Sequence, residues 1–208
     1  MGVFAGSITY RRYRVVGDLP EDYRNRFFEA IQKRIFREID ISSDEERTFG
    51  WVGVGDVLDL DLTMEKIFFG SNILLTLRTD TLKVPGAALK LVLRQAEKEF
   101  MTDTKKERLS KQDKEEIKEH VIKTLRKRLL PSVKGIDMVW DVSTATVRFW
   151  SHNKTMGDLF TEVFFDTFGL RLVPRTPYTA MADVGLSDEM SDRALKLDPA
   201  DFVGSLSS

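Results

Sequence analysis

The chain of 208 residues contains no cysteine, which excludes disulfide bonds, thiolate metal ligands and cysteine nucleophiles. It also has no long hydrophobic run, because its most apolar window, residues 67–77, is interrupted by a Gly-Ser-Asn turn at 70–72. A membrane-spanning helix needs about 20 apolar residues, so we expect no membrane segment. The first seven residues lack the basic and apolar regions of a secretory signal. These absences favour a cytoplasmic protein.

Catalytic motifs are equally scarce. The two histidines, His120 and His152, lie on different predicted elements, and the sequence has no nucleophile elbow, Walker loop or dinucleotide-binding glycine motif. A triad that includes Ser110 or Ser151 stays open, but solvent-facing histidines are the simpler interpretation. We therefore predict a protein that is not an enzyme and uses no cofactor.

The acidic residues at positions 56, 59 and 61 permit one alternative. Asp59 and Asp61 share a face of a predicted strand, where they could hold a divalent metal for nuclease chemistry. No histidine or further acid is placed to complete the site. We favour the wet face of a half-buried strand and predict no metal site.

Hydrophobic periodicity predicts an α+β fold, with mainly antiparallel sheets and packed helices. The predicted strands are residues 3–16, 47–54, 56–63, 66–69, 73–82, 136–142, 145–150 and 170–173. Helices are predicted from the Asp-Leu-Pro signal at 18–20, from Pro85, from Ser110 to Pro131, and over 154–168. Ser110 and Asp113 form a capping-box pattern, and Gly169 is a plausible helix end.

Several aromatic residues lie in these predicted strands. Phe49, Trp51 and the Phe68-Phe69 pair could stack on bases, and Trp140 and Phe149 fit the packing of a hairpin. Aromatic residues in strands are more often part of the core, and that is our prediction for all of them.

Charge is unevenly distributed along the chain. Residues 1–134 carry 26 basic and 22 acidic side chains, whereas residues 135–208 carry 6 and 11, although the net charge is only −1. The stretch from Lys83 to Lys134 alone has fifteen basic against eight acidic residues. A local excess of this kind indicates either an anionic partner or a solvated helix surface.

The basic residues of this stretch are the candidate site. The predicted phosphate-binding residues are Lys105, Lys106, Arg108, Lys111, Lys123, Arg126 and Lys127. In the helix from Ser110 the acids come first and the bases last, which by itself complements the helix dipole. If these cations instead meet phosphates, binding should be sequence-independent and salt-sensitive.

The order of several motifs resembles the RdgC family of bacterial recombination-associated proteins. The resemblance covers about residues 3–178. The motifs are Arg47-Thr48-Phe49-Gly50-Trp51-Val52, Leu82-Lys83-Val84-Pro85, Arg108-Leu109-Ser110-Lys111-Gln112-Asp113-Lys114-Glu115-Glu116-Ile117-Lys118-Glu119, Leu129-Leu130-Pro131 and Phe168-Gly169-Leu170-Arg171-Leu172-Val173-Pro174.

The resemblance implies a non-enzymatic, nucleoid-associated protein that binds double-stranded DNA with little sequence preference. It also implies a ring-shaped homodimer with a basic hole and a role in limiting access of the RecA recombinase to DNA. Usual members continue into a further C-terminal region and tend towards Arg-Ala-Phe where this chain has Ser132-Val133-Lys134, so ring closure stays open. We expect an RdgC-like region over 1–181, with two lobes at about 1–134 and 135–181, and an acidic, loosely structured tail over 182–208.

The alternative to DNA binding is a protein-interaction or oligomerisation module. Its basic helices and acidic C-terminal part would pair between subunits or with a partner protein. This module should oligomerise in a salt-sensitive way and have no DNA affinity at physiological salt.

Overall fold

The computed structural model describes residues 2–4, 9–176, 179 and 185–196, and this part of the chain contains seven strands and six helices. The strands are β1 (Arg11–Val16), β2 (Arg47–Val52), β3 (Phe68–Phe69), β4 (Asn72–Thr81), β5 (Ser132–Asp141), β6 (Thr146–Phe149) and β7 (Arg171–Pro174). The helices are α1 (Tyr23–Lys33), α2 (Met64–Ile67), α3 (Gly86–Thr104), α4 (Lys111–Arg126), α5 (Lys154–Phe168) and α6 (Asp188–Leu195).

All seven strands form one antiparallel sheet, in the order β2-β4-β5-β6-β1-β7, with β3 paired to β4. The predicted α+β class, with a mainly antiparallel sheet and packed helices, is therefore confirmed. β5 crosses the expected lobe boundary at 134/135 and pairs with β4 along its whole length, so the two sides of that boundary share one sheet.

The core lies between one face of the sheet and two helices, α1 and α5. Alternate residues of β4 and β5 face it, for example Leu75, Leu77 and Met138, all fully buried. α5 contributes a stripe of phenylalanines, of which Phe160 stacks on Phe149 with ring centroids 4.0 Å apart. Such aromatic pairs add specific ring contacts to the hydrophobic burial.

Local signals predicted the helices well. α5 ends at Gly169 in the left-handed conformation, with φ of 70°. The four-residue spacing in α1 buries Phe27 and Ile31 as expected, although the helix begins at Tyr23, later than the Asp-Leu-Pro signal indicated. The buried face predicted for α3 is only half-buried, since no residue of that helix is buried.

The strand predicted over residues 56–63 is wrong. This segment is irregular and crosses the sheet face opposite the core, where Val57 lies so close to Gly135 that a Cβ there would collide with it. Of the three alternating leucines, Leu62 is buried but Leu58 is 71% exposed. The strand predicted at 66–69 is shorter than expected, because its first two residues belong to α2.

The two ends of the chain differ from the predictions as well. The first strand covers Arg11–Val16 only, and residues 5–8 of the predicted strand lie outside the described residues. Of the predicted loose tail, residues 182–184 and 197–208 lie outside the described residues. Between them, α6 forms with Ser187 as its N-cap, a helix that the sequence pattern did not indicate.

Candidate nucleic-acid interface

The predicted phosphate-binding residues lie on a helical hairpin made by α3 and α4. α3 follows β4 and α4 precedes β5, and the adjoining strand ends pair with each other at Thr81 and Ser132. Both helices therefore leave the sheet at one place, and their connector lies at the far end of the hairpin. With about 1.5 Å per residue, the 16 residues of α4 extend about 24 Å from the sheet.

The connector is shaped by two local signals. Lys105 ends α3 in the left-handed conformation with φ of 54°. The capping box at the start of α4 is confirmed: Asp113 N–H donates to Ser110 Oγ at 3.1 Å, and Ser110 N–H donates to the Asp113 carboxylate at 2.9 Å. The hydrogen bond from the Ser110 backbone, followed by that from Lys106, lowers the pKa of Asp113 below its usual value.

Six of the seven predicted residues fall into two groups. A tip group, Lys105, Lys106, Arg108 and Lys111, surrounds the connector, and a base group, Lys123 and Lys127, lies at the sheet end of α4. Arg126 belongs to neither, for the reason given below. Along the helix the twelve residues from Lys111 to Lys123 separate the two groups by about 18 Å.

Five of the seven cations are available to a ligand. The side chains of Lys105, Arg108, Lys111, Lys123 and Lys127 are exposed, and none has an ion-pair partner within the described residues. Lys106 is different, because its ammonium lies 3.0 Å from the Asp113 carboxylate and 5.5 Å from the ring centroid of Phe100. It holds the connector against α4.

The prediction that Arg126 faces outward is wrong. Its side chain is 4% exposed and its Nη2 donates to the Glu45 carbonyl oxygen at 2.7 Å. The last turn of α4 meets the segment that precedes β2, and this contact buries Arg126 while Lys123 and Lys127 stay exposed. Arg126 fastens the hairpin to the sheet domain and is not free to contact phosphate.

In the segment considered as an alternative metal site, the carboxylates of Asp59 and Asp61 bind a lysine. Lys66 Nζ lies 2.9 Å from Asp59 and 3.4 Å from Asp61, and these contacts raise its pKa, with the Asp59 hydrogen bond as the main cause. No group of three or more histidine or acidic side chains that could hold a metal ion occurs among the described residues. The ammonium takes the place that a divalent cation would need between these two carboxylates.

The two histidines lie on different elements of the fold. His120 is exposed on α4, whereas His152 precedes α5 and its carbonyl oxygen accepts a hydrogen bond from Arg11. Ser110 Oγ caps α4, and Ser151 Oγ accepts a hydrogen bond from the Asn153 amide. The hydroxyl of Ser110 therefore stabilises the start of a helix, and that of Ser151 stabilises a loop.

The aromatic predictions are partly confirmed. Trp51, Trp140 and Phe149 are buried in the core. Phe49 and Phe69 are not, with 41% and 75% of their surface exposed. Phe69 is paired with Asn72, one residue away from the pair of Phe68 with the core residue Ile73, so its side chain lies on the sheet face opposite the core.

A large open cleft lies beside β2, with a volume of about 760 Å³. Its lining includes the cations Lys33, Arg37 and Arg47, but also Glu29, Glu38 and Glu45. Arg34 and Asp166 form an ion pair across it at 3.2 Å. Since both signs of charge line the cleft, it shows no clear preference for an anion.

No known family model matches this chain, and no curated protein matches it at a significant level. Among the described residues, none of the helices combines the length and the apolarity that crossing a lipid bilayer requires.

Proposed function

We propose that this protein is a sequence-independent, RdgC-like binder of double-stranded DNA that uses the α3–α4 hairpin and performs no catalysis. The observation that carries the proposal is the set of five exposed cations on this hairpin, none of which has an ion-pair partner within the described residues. Lysines of this kind attract phosphates without reading base edges. The roughly 18 Å between the tip and base groups corresponds to about five base-pair steps of about 3.4 Å along the axis of a duplex.

Binding should be strongly weakened by salt. If each of the five cations neutralises one phosphate, the logarithm of the affinity falls with a slope of about −4.5 against the logarithm of salt concentration. Affinity then drops about 500-fold between about 50 and 200 mM salt.

Fluorescence anisotropy with two unrelated short duplexes tests this expectation. The two duplexes should bind with equal affinity at each salt concentration and show the same slope. Absence of binding at the lower salt concentration would exclude the proposed function. A strong preference for one duplex would exclude the phosphate-only mode of recognition.

We also propose that the protein acts as a homodimer, joined through the apolar side of the hairpin. α3 has no buried residue, although its half-buried side chains include Ala96 and Phe100. These line a groove of about 320 Å³ together with Ile117 and Val121 of α4, which are already buried, and with the acidic residues Glu99, Asp103 and Glu116. A second copy of this face would complete the burial of Ala96 and Phe100.

An Ala96→Glu variant should shift the dimer towards monomer by at least tenfold in dissociation constant, because a charge would be placed inside the groove. Sedimentation equilibrium measures the shift. Gln95→Glu adds the same charge on the exposed neighbour and should leave the dimer unchanged. A monomeric parent protein at tens of micromolar would refute the dimer, whereas a dimer that binds no DNA would favour the interaction module.

The same proposal places the protein in the cytoplasm, in association with the nucleoid. It also includes restriction of recombinase access to DNA. They follow from the RdgC-like motifs and from the phosphate-directed cations. A recombinase filament assembled on DNA already covered by this protein should form more slowly than on bare DNA.

A further inference from the structure

The core-facing side of the sheet changes from apolar to polar towards one end. Trp51, Leu77 and Ile136 form a buried cross-strand row on β2, β4 and β5. Side chains two residues apart on a strand lie on the same face of the sheet. The next row on this face, two residues along each strand, is Phe49, Thr79 and Lys134.

The last row of this face is Arg47, Thr81 and Ser132. Adjacent strands are about 4.8 Å apart, so these two outer rows place two cations and three hydroxyl groups on one small area. They line an open pocket of about 260 Å³. Every charged side chain in its described lining is positive.

The N-terminus of α5 closes the other side of this pocket. Asn153 is the N-cap, and its side-chain oxygen accepts the Met156 amide at 3.0 Å. The amides of Lys154 and Thr155 precede the first intrahelical hydrogen bond, and Thr155 lines the pocket. The first turn carries no acidic side chain, so the positive end of the helix dipole has no negative charge opposite it there.

A buried hydroxyl provides independent evidence for a ligand. Thr79 lines the pocket and is 4% exposed, and its Oγ1, which is closed to solvent, has no hydrogen-bond partner among the described residues. Buried polar groups in proteins are nearly always paired, because an unpaired one loses its hydration without compensation. Arg47 and Lys134 likewise have no ion-pair partner within the described residues.

We propose that this pocket binds a phosphate group, held by the α5 N-terminus, Arg47 and Lys134 and, after rotation of its side chain, by the Thr79 hydroxyl. Proteins bind tetrahedral anions with backbone amides at a helix N-terminus, with cationic side chains and with hydroxyl groups. The phosphate belongs either to a small phosphorylated molecule or to a nucleic-acid backbone. The pocket is smaller than the usual 300–1,000 Å³ of sites for larger organic ligands, which fits a phosphate-sized group.

Titration with inorganic phosphate, followed by ¹H–¹⁵N NMR at constant ionic strength, tests the site. The amide signals of Lys154 and Thr155 should shift with saturation, and sodium chloride should not reproduce the shift. If these amides stay unmoved up to tens of millimolar phosphate, the proposal is wrong.

Two variants give a second, independent readout. Lys134→Met should weaken phosphate binding at least tenfold, and Thr79→Val at least threefold. Val keeps the shape of Thr and removes a hydroxyl that has no partner in the described part of the chain, so the melting temperature of Thr79→Val should not fall. Lys114→Met, at an exposed lysine of α4 outside the predicted set, is the matched control and should bind phosphate like the parent. Equal phosphate affinity in all three variants would overturn the assignment.

A competing duplex identifies the source of the phosphate. If a short duplex shifts the same two amides and displaces inorganic phosphate, the site holds a backbone phosphate. If phosphate binds but the duplex leaves these amides unmoved, the site serves a small phosphorylated molecule. The second result includes the case in which the protein binds no DNA, so failure of the proposed function is distinguishable from failure of this site.

Discussion

A variant in which Lys123 and Lys127 are both replaced by glutamate should lose most of its affinity for DNA. The two lysines are one turn apart on the same side of α4, so a duplex that meets one of them meets both. Loss of two phosphate contacts lowers the affinity about 60-fold at about 0.1 M salt, and repulsion by the new carboxylates adds to this loss. The salt slope should fall from about −4.5 to about −2.7.

Fluorescence anisotropy and circular dichroism together measure this effect. The matched control is Lys114→Glu with Lys118→Glu, which makes the same charge change on the same helix at exposed lysines outside the predicted set. The control should lose far less affinity than the test variant. Equal losses in the two double variants would show that only net charge matters and would refute the site. Arg126 is left intact because its replacement would release the hairpin from the segment before β2.

Replacement of Asp80 by alanine should lower the free energy of unfolding by about 3–5 kcal/mol. Arg78 and Asp80 are both buried and form two parallel hydrogen bonds, Nε to Oδ1 at 2.9 Å and Nη2 to Oδ2 at 2.7 Å. This bonding raises the pKa of Arg78, so its guanidinium stays charged at any pH at which the protein is folded. Without Asp80 that charge is left buried and uncompensated.

The remaining contacts of Arg78 do not replace the carboxylate. Its Nη1 donates to the Val57 carbonyl oxygen at 3.0 Å, and its guanidinium lies 4.0 Å from the ring centroid of Phe36. Urea denaturation measures the loss. Asp44→Ala, at an exposed position, should change stability by less than about 0.5 kcal/mol. A double variant, Arg78→Met with Asp80→Leu, should recover much of the loss, because it removes both charges together. A loss below about 1 kcal/mol in Asp80→Ala would mean that water reaches this pair.

Features that depend on neighbouring residues were predictable from the sequence. The Ser110–Asp113 capping box, the Gly169 helix end and the buried spacing of Phe27 and Ile31 all form within one or two turns. The antiparallel class followed from the hairpin pattern. The exposure of Lys123 and Lys127 followed from their position opposite the apolar stripe of α4.

Features that depend on distant residues were not predictable. Arg126 is buried by Glu45, 81 residues earlier in the chain, and helix periodicity carries no information about that contact. The alternating leucines of residues 56–63 have the pattern of a strand. Their segment instead crosses the surface of the sheet next to Gly135 and does not pair with it as a strand. The phosphate pocket needs the register of three strands at once, which places Arg47 beside Thr81 and Ser132.

The position of β1 has a consequence for synthesis on the ribosome. β1 lies between β6 and β7, and Arg14 pairs with Thr146, 132 residues later in the chain. At about 5–20 residues per second, roughly 7–26 s pass between translation of these two residues. Throughout that interval both edges of β1 lack their native partners and are open to pairing with other chains. The α3–α4 hairpin, whose contacts are local, forms while the sheet is still incomplete, so the nascent chain presents its basic hairpin before its core has closed.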